Sequence, residues 1–166
     1  GLGIGARRIT VSTVGIPDGI RKLADLRLQI NLAISLHAAD EEKRKKLIPI
    51  AKRHGLQDVI EAAEYYRHKT TRDVTFEILL MRGMNDGPED AEAAVSLLKG
   101  RKCTVNLIPF NAISGSYFNP PSTQSLSEFR SILETAHIPV TVRKSRGTDI
   151  FAACGQLRLS RIEDPT

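Results

Sequence analysis

The chain has no tryptophan, only three tyrosines and five phenylalanines among 166 residues. That scarcity leaves no aromatic platform broad enough to stack a run of unpaired bases. Two cysteines, Cys103 and Cys154, stand 51 positions apart. They make no disulfide framework, and the reduced thiols of an intracellular protein are the expectation. They make no metal site either, because structural zinc takes four close ligands and an iron–sulfur cluster takes closely spaced cysteines. No uninterrupted apolar run of about 18 residues occurs, so no membrane-spanning helix is expected. The opening GLGIGARRITVSTVGI lacks the apolar core of a signal peptide, which points to the cytoplasm. Arg7-Arg8 do not read as a twin-arginine signal, because the residues after them alternate like a strand. There is no P-loop, no GxSxG and no HExxH. The glycines of GLGIGA precede a strand instead of following one, so they are no dinucleotide fingerprint.

What is present describes an ordinary globular domain with a basic tilt. Net charge is +5 and the pI about 9.4, which favours an anionic partner such as nucleic acid. Apolar residues make up 41%, enough over this length for one core, so residues 1–166 are expected to form a single domain. The apolar pattern alternates between two periods. RRITVSTVG (7–15), QINLAISLHA (29–38), DVTFEILLM (73–81), KCTVNLIPF (102–110) and IPVTVRKS (138–145) read as strands. Segments 17–26, 56–69, 89–100 and 125–136 read as helices, the last opened by a capping box from Ser125 to Glu128. Asp40 reads as the N-cap of a further charged segment, EEKRKKL. Strands alternating with helices imply an α/β fold built on a parallel sheet. An open doubly wound sheet and a segment of a β/α barrel both fit, since a complete barrel needs about 250 residues.

In parallel α/β folds, chemistry gathers at the carboxyl ends of the strands. Those ends are polar here: Ser12-Thr13, then Ser35 with His37, Asn85-Asp86, Asn106 with Asn111, and Arg143-Lys144-Ser145-Arg146. Each also has an ordinary reading. The hydroxyls could bond nearby backbone, His37 could be structural, and Asn85-Asp86-Gly87 is good turn chemistry. The run Lys43, Arg44, Lys45, Lys46 with Lys52 and Arg53 reads as a solvated helical face, with phosphate contact as the alternative. Cys103, at a strand start, reads as inert packing. Cys154 is ambiguous on its own, because a free cysteine often serves as a small buried hydrophobe.

Five blocks together carry a more specific reading: RRITVSTVG, LAISLHA, VNLIPFN, VTVRKSRGTDI and AACGQL, in this order. They resemble the RlmN/Cfr family of radical S-adenosylmethionine (SAM) enzymes, the RlmN branch best, over Gly1 to about Leu157. The resemblance implies the C-terminal part of a partial parallel β/α (TIM-like) barrel of the radical SAM type. It implies methylation of adenine carbon 2 in 23S rRNA and tRNA. The family's Cys-x3-Cys-x2-Cys motif for a [4Fe–4S] cluster, its Gly-Glu-Pro motif, its general base and its second catalytic cysteine all lie upstream of Gly1. This stretch alone is therefore expected to be inactive, with RRITVSTVG as an exposed, association-prone sheet edge. An electron donor such as flavodoxin is implied for the complete enzyme.

By the same resemblance, Ser12, Ser35, Leu36, His37 and Asn111 are expected to contact SAM. Phe110 stands where many members carry tryptophan. Cys154 matches the cysteine that takes a methyl group from one SAM before a 5′-deoxyadenosyl radical, made from a second SAM, activates it. Small neighbours, Ala152, Ala153 and Gly155, would let that segment approach both SAM and the target base. Arg143, Lys144 and Arg146 are expected to hold RNA phosphates beside the site. Two other readings compete: a short paralogue that binds RNA without chemistry, and an unrelated enzyme using His37 and Asp86 as acid and base.

Overall fold

The structure, a computed structural model, describes residues 5–111 and 117–143. Five strands and five α-helices follow one another: β1 (Thr10–Thr13), α1 (Pro17–Asp25), β2 (Asn31–Ser35), α2 (Glu41–Leu47), α3 (Leu56–Thr70), β3 (Val74–Leu80), α4 (Pro88–Leu98), β4 (Cys103–Pro109), α5 (Thr123–Thr135) and β5 (Val140–Val142). All neighbouring strands pair in parallel, and their order in the sheet is their order in the chain. That order decides between the two architectures left open by the sequence. A doubly wound sheet reverses its strand order at a switch point. Right-handed crossovers that never reverse put every helix on one face, as in a β/α barrel.

The strand side chains divide accordingly. Along β3, Val74, Phe76, Ile78 and Leu80 are buried, while Thr75, Glu77 and Leu79 between them are half-buried. The buried set joins Leu32, Ile34, Val105 and Leu107 from neighbouring strands. Helices cover it with Ile20 and Ala24, with Val59, Ile60, Ala63 and Tyr66, and with Ala91, Ala94, Leu98, Phe129 and Leu133. Tyr66 satisfies its hydroxyl by donating to the Ile30 carbonyl at 2.8 Å, so the ring can be wholly buried. The opposite, helix-free face would line the interior of a barrel.

Local signals set the helix ends. Asp40 caps α2 by accepting the Lys43 amide at 2.8 Å, as its sequence position predicts. Pro17 and Pro88 open α1 and α4, where a missing amide proton does no harm. The expected start of α5 at Ser125 is three residues late. Ser122 is the cap, accepting the Ser125 amide at 2.9 Å. Only Ser125 has the glutamate of a capping box three residues on, yet Ser122, directly after Pro120-Pro121, is the cap because the prolines end the preceding extended segment there. The strands are also shorter than the apolar pattern suggests, β1 by several residues, and Ala6–Arg8 forms a 3-10 turn.

β1 lies at the sheet edge, as anticipated. Apolar side chains that flank β1 stand open to solvent: Ile9 is 41% exposed and Val14 43%. Among the described residues nothing covers them. No helix among these residues is long and apolar enough to cross a membrane.

Candidate functional site

Parallel pairing puts register partners on the same face, so the helix-free face can be read row by row. Ser12 pairs with Ala33, Ala33 with Thr75, and Thr75 with Thr104. Two residues further along, Ser35 pairs with Glu77, Glu77 with Asn106, and Asn106 with Thr141. This upper row is polar across four strands. The Thr141 hydroxyl donates to Asn106 Oδ1 at 3.0 Å and fixes that amide's orientation. Above it the chain reaches the carboxyl rim, where His37, Asn111 and Arg143 follow the ends of β2, β4 and β5.

The residues after β2 are held firmly. The amides of Leu36 and His37 both donate to the Glu77 carbonyl, at 2.9 and 3.1 Å. The Leu79 amide donates to His37 Nδ1 at 3.2 Å. An Nδ1 that accepts leaves the ring proton on Nε2, so neutral His37 presents an N–H donor away from the sheet. Burial pushes its pKa below the ordinary histidine value, with the negative charge of Glu77 opposing. His37 also takes a left-handed backbone, φ 59°. A non-glycine residue rests there only when its surroundings impose it. Asn85 is a large part of those surroundings. Its buried amide donates to the His37 and Leu79 carbonyls, both at 2.7 Å, and accepts the Met81 amide at 2.8 Å. Leu36 itself is fully buried and packs beneath Ser35 and His37.

A second brace holds the end of β1. Arg44 is wholly buried and donates to the Val14 carbonyl at 3.0 Å and the His54 carbonyl at 3.1 Å. Burial lowers its pKa, with Glu41 opposing. Gly15, at φ 86°, leaves room for that guanidinium; a Cβ there would stand 3.0 Å from Arg44 Nη2. Arg44 thus fixes the turn two residues beyond Ser12. The basic run of α2 is therefore only partly a free face. Lys43 pairs with the nearly buried Asp90 at 2.6 Å, and Lys45 with Glu42 at 2.8 Å.

Among the sequence-predicted residues, Ser12 and Ser35 share the helix-free face, and His37, Asn111 and Arg143 stand along its rim. Cys154, Lys144 and Arg146 lie outside the described residues. His37 and Asp86 do not form an acid–base pair: Asp86 accepts the Gly83 amide at 2.7 Å and the Ser125 hydroxyl at 2.9 Å instead. Cys103 is buried, and burial pushes its thiol pKa up to about 11, so it is the unreactive packing residue the sequence indicated. Sequence reasoning missed Glu77, and it read Asn85 only as a strand-end or turn residue and Arg44 only as part of a solvated or phosphate-binding run. A signal for Glu77 was available, since a carboxylate in the middle of the buried-strand pattern TFEILL is out of place.

Residues 3–98 match the family model described as the radical SAM superfamily. The chain belongs to the radical SAM superfamily. Within it, the resemblance to the RlmN-type enzymes holds along the whole chain. It is 47% identical, over 98% of its length, to a protein of Protochlamydia amoebophila called "Probable dual-specificity RNA methyltransferase RlmN 2". It is 49% identical, over 97% of its length, to a Clostridium beijerinckii protein called "Probable dual-specificity RNA methyltransferase RlmN". It covers 46% of each of these curated relatives, so it spans about half their length. A radical SAM methyltransferase from Sphaerobacter thermophilus superposes with a TM-score of 0.90 at 46% identity, over 94% of this chain and 46% of that one. A domain of a pyruvate-formate lyase-activating enzyme from Bacteroides vulgatus shares the fold, with a TM-score of 0.63 at 16% identity, over 81% of this chain and 80% of that one.

Radical SAM proteins use SAM and a [4Fe–4S] cluster. The polar rows and the braced rim suit a ligand rich in hydroxyls, amines and charge, as SAM is. The described residues do not suit the cluster: no group of three or more His, Cys, Asp or Glu among them could hold a metal ion.

Proposed function

We propose that this chain is the C-terminal part of a cytoplasmic radical SAM methyltransferase that modifies carbon 2 of adenine in 23S rRNA and tRNA. The observation that carries the proposal is the helix-free face. It joins Ser12 and Ser35 in polar rows beneath a rim where His37 is held neutral with its Nε2–H outward. On this reading Ser12, Ser35, His37 and Asn111 hold SAM, with Leu36 setting the height of its two neighbours. His37 is suited to donate to a carboxylate or ring nitrogen of the ligand without adding a charge. Arg143 takes an RNA phosphate at the same rim, and Lys144 and Arg146, which follow it in the sequence, take others.

The chemistry explains why such a site needs a cysteine. Carbon 2 of adenine is not a nucleophile, so direct polar transfer from SAM fails. Cys154 supplies a thiolate that displaces the methyl group from the sulfonium, forming a carbon–sulfur bond and releasing S-adenosylhomocysteine. A [4Fe–4S] cluster, whose ligands are not among the described residues, would supply the electron for reductive SAM cleavage, with a donor such as flavodoxin to recharge it. The 5′-deoxyadenosyl radical from that cleavage would take a hydrogen atom from the Cys154 methyl group, and the carbon radical left would add to carbon 2. Once one electron has returned to the cluster and the carbon 2 proton has left, a second cysteine would attack the Cys154 sulfur, leaving a disulfide and the methylated base.

The test is mass spectrometry of the complete protein purified from cells. The peptide containing Cys154 should carry one extra methyl group, and Cys154→Ala should abolish carbon 2 methylation of cellular RNA. An unmodified Cys154 together with full RNA methylation in the Cys154→Ala strain would overturn the proposal.

A further inference from the structure

Glu77 is the only charged side chain on the helix-free face of the three inner strands. The other positions there are Asn31, Ala33 and Ser35 on β2, Thr75 and Leu79 on β3, and Thr104, Asn106 and Ile108 on β4. It is half-buried, at the centre of the upper polar row. Among the described residues its carboxylate makes no ion pair and no hydrogen bond, although six ion pairs form elsewhere. Arg143 enters at the rim two strands away and beyond Thr141, and His37, whose imidazole feels the Glu77 charge, is kept neutral by burial.

A sheet gains nothing from such a residue. Its row partners are Ser35, Asn106 and Thr141, all neutral, and glutamine would fit the same space without a charge. A half-buried carboxylate without a counter-charge lowers stability, which is the pattern of a residue kept for a ligand. Its place supports that. Ser35 stands one strand to one side, and β4, which leads to Asn111, lies on the other.

We propose that Glu77 is the counter-charge for a cation bound on this face, and that the cation is the sulfonium of SAM. The inference rests on the SAM reading above. SAM carries two cationic groups, and the surroundings discriminate between them. An ammonium has three protons to place and asks for several acceptors. The row beside Glu77 offers Asn106 Oδ1, one of whose lone pairs is taken by Thr141, and the hydroxyls of Ser35 and Thr141, but no second carboxylate. A sulfonium has no proton to donate and needs only opposite charge close by, which a single carboxylate provides. Holding that charge beside the sulfonium also distinguishes SAM from its neutral thioether product and lets the product leave.

The complete protein provides the test, by titration calorimetry with SAM and with S-adenosylhomocysteine. The two share ribose, adenine and amino-acid groups and differ in the sulfonium. Glu77→Gln should weaken SAM binding roughly tenfold and leave S-adenosylhomocysteine binding nearly unchanged. The ligand-free variant should melt no lower than wild type, since an uncompensated charge has gone. Glu77→Asp, which keeps the charge, should retain the preference for SAM. Equal weakening of both ligands would reassign Glu77 to a group they share and overturn the sulfonium assignment. Unchanged affinity for both, or a lowered melting temperature with both weakened, would remove Glu77 from the site altogether. If the wild-type protein binds neither ligand, the SAM reading itself falls, and this inference with it.

Discussion

The two faces of the sheet come from the same strands and obey opposite rules. On the helix-covered face of β3, Val74, Phe76, Ile78 and Leu80 are closely packed and apolar. One residue out of phase, Thr75 and Glu77 carry polar groups that touch little. The first set keeps the sheet and helices together. The second contributes almost nothing to that, and so is available to a ligand. The difference teaches that in this fold stability and function alternate along each strand at a spacing of one residue.

The sharpest way to break the comparison is a pair of adjacent substitutions. Phe76→Ala should lower unfolding free energy by about 3–5 kcal/mol, because a buried ring leaves a cavity between sheet and helices. Thr75→Val, its neighbour on the other face, should change stability by less than about 0.5 kcal/mol. Urea denaturation of both variants decides it; similar losses in the two would show that the faces are energetically alike.

Asn85 is where the two rules meet, because its polar side chain is buried yet braces the rim. Asn85→Ala removes the partner of three backbone groups at once and should cost about 2–3 kcal/mol. It should also relax the left-handed turn at His37. Reduced SAM affinity in a variant still folded at the assay temperature would sharpen the comparison. A variant that loses stability and keeps full affinity would confine Asn85 to the stabilising face.

The smallest effect expected is on pH dependence. The folded protein lowers the His37 pKa, so the unfolded chain binds the proton more readily. The resulting stability is fully present above the unfolded value of about 6.5 and declines as pH falls below it. Comparing melting temperatures from pH 8 to pH 5 in wild type and His37→Asn isolates the contribution. The wild-type curve should fall more steeply below pH 6.5; parallel curves would mean that His37 is not held neutral by the fold.

Much of this was written locally. Strand positions follow from β-branched alternation and helix starts from Asp40 and Pro17, since each acts over a few residues. The choice between open sheet and barrel segment was not local, because it depends on which strand lies beside which. For the site, Ser12, Ser35, His37 and Asn111 were legible as polar residues at strand ends. Glu77 was hidden within a strand, where attention to the ends passes over it. Asn85 was hidden by good turn chemistry: Asn-Asp-Gly suits a turn whether or not the amide points inward. Arg44 looked like one more surface cation in a charged run, and only the packing of β1, α2 and α3 around it reveals the burial.

Strand order equal to chain order has a consequence for how the molecule is made. Each new strand pairs with the one synthesised just before it, and α3 and α5 each return to the helix one repeat behind, α1 and α4 respectively. A chain emerging from the ribosome amino end first can therefore add one strand and its covering helix at a time, with no partner left waiting for a distant segment. The growing front is then the edge that β5 joins last, opposite β1, and the order of translation is also the order of assembly.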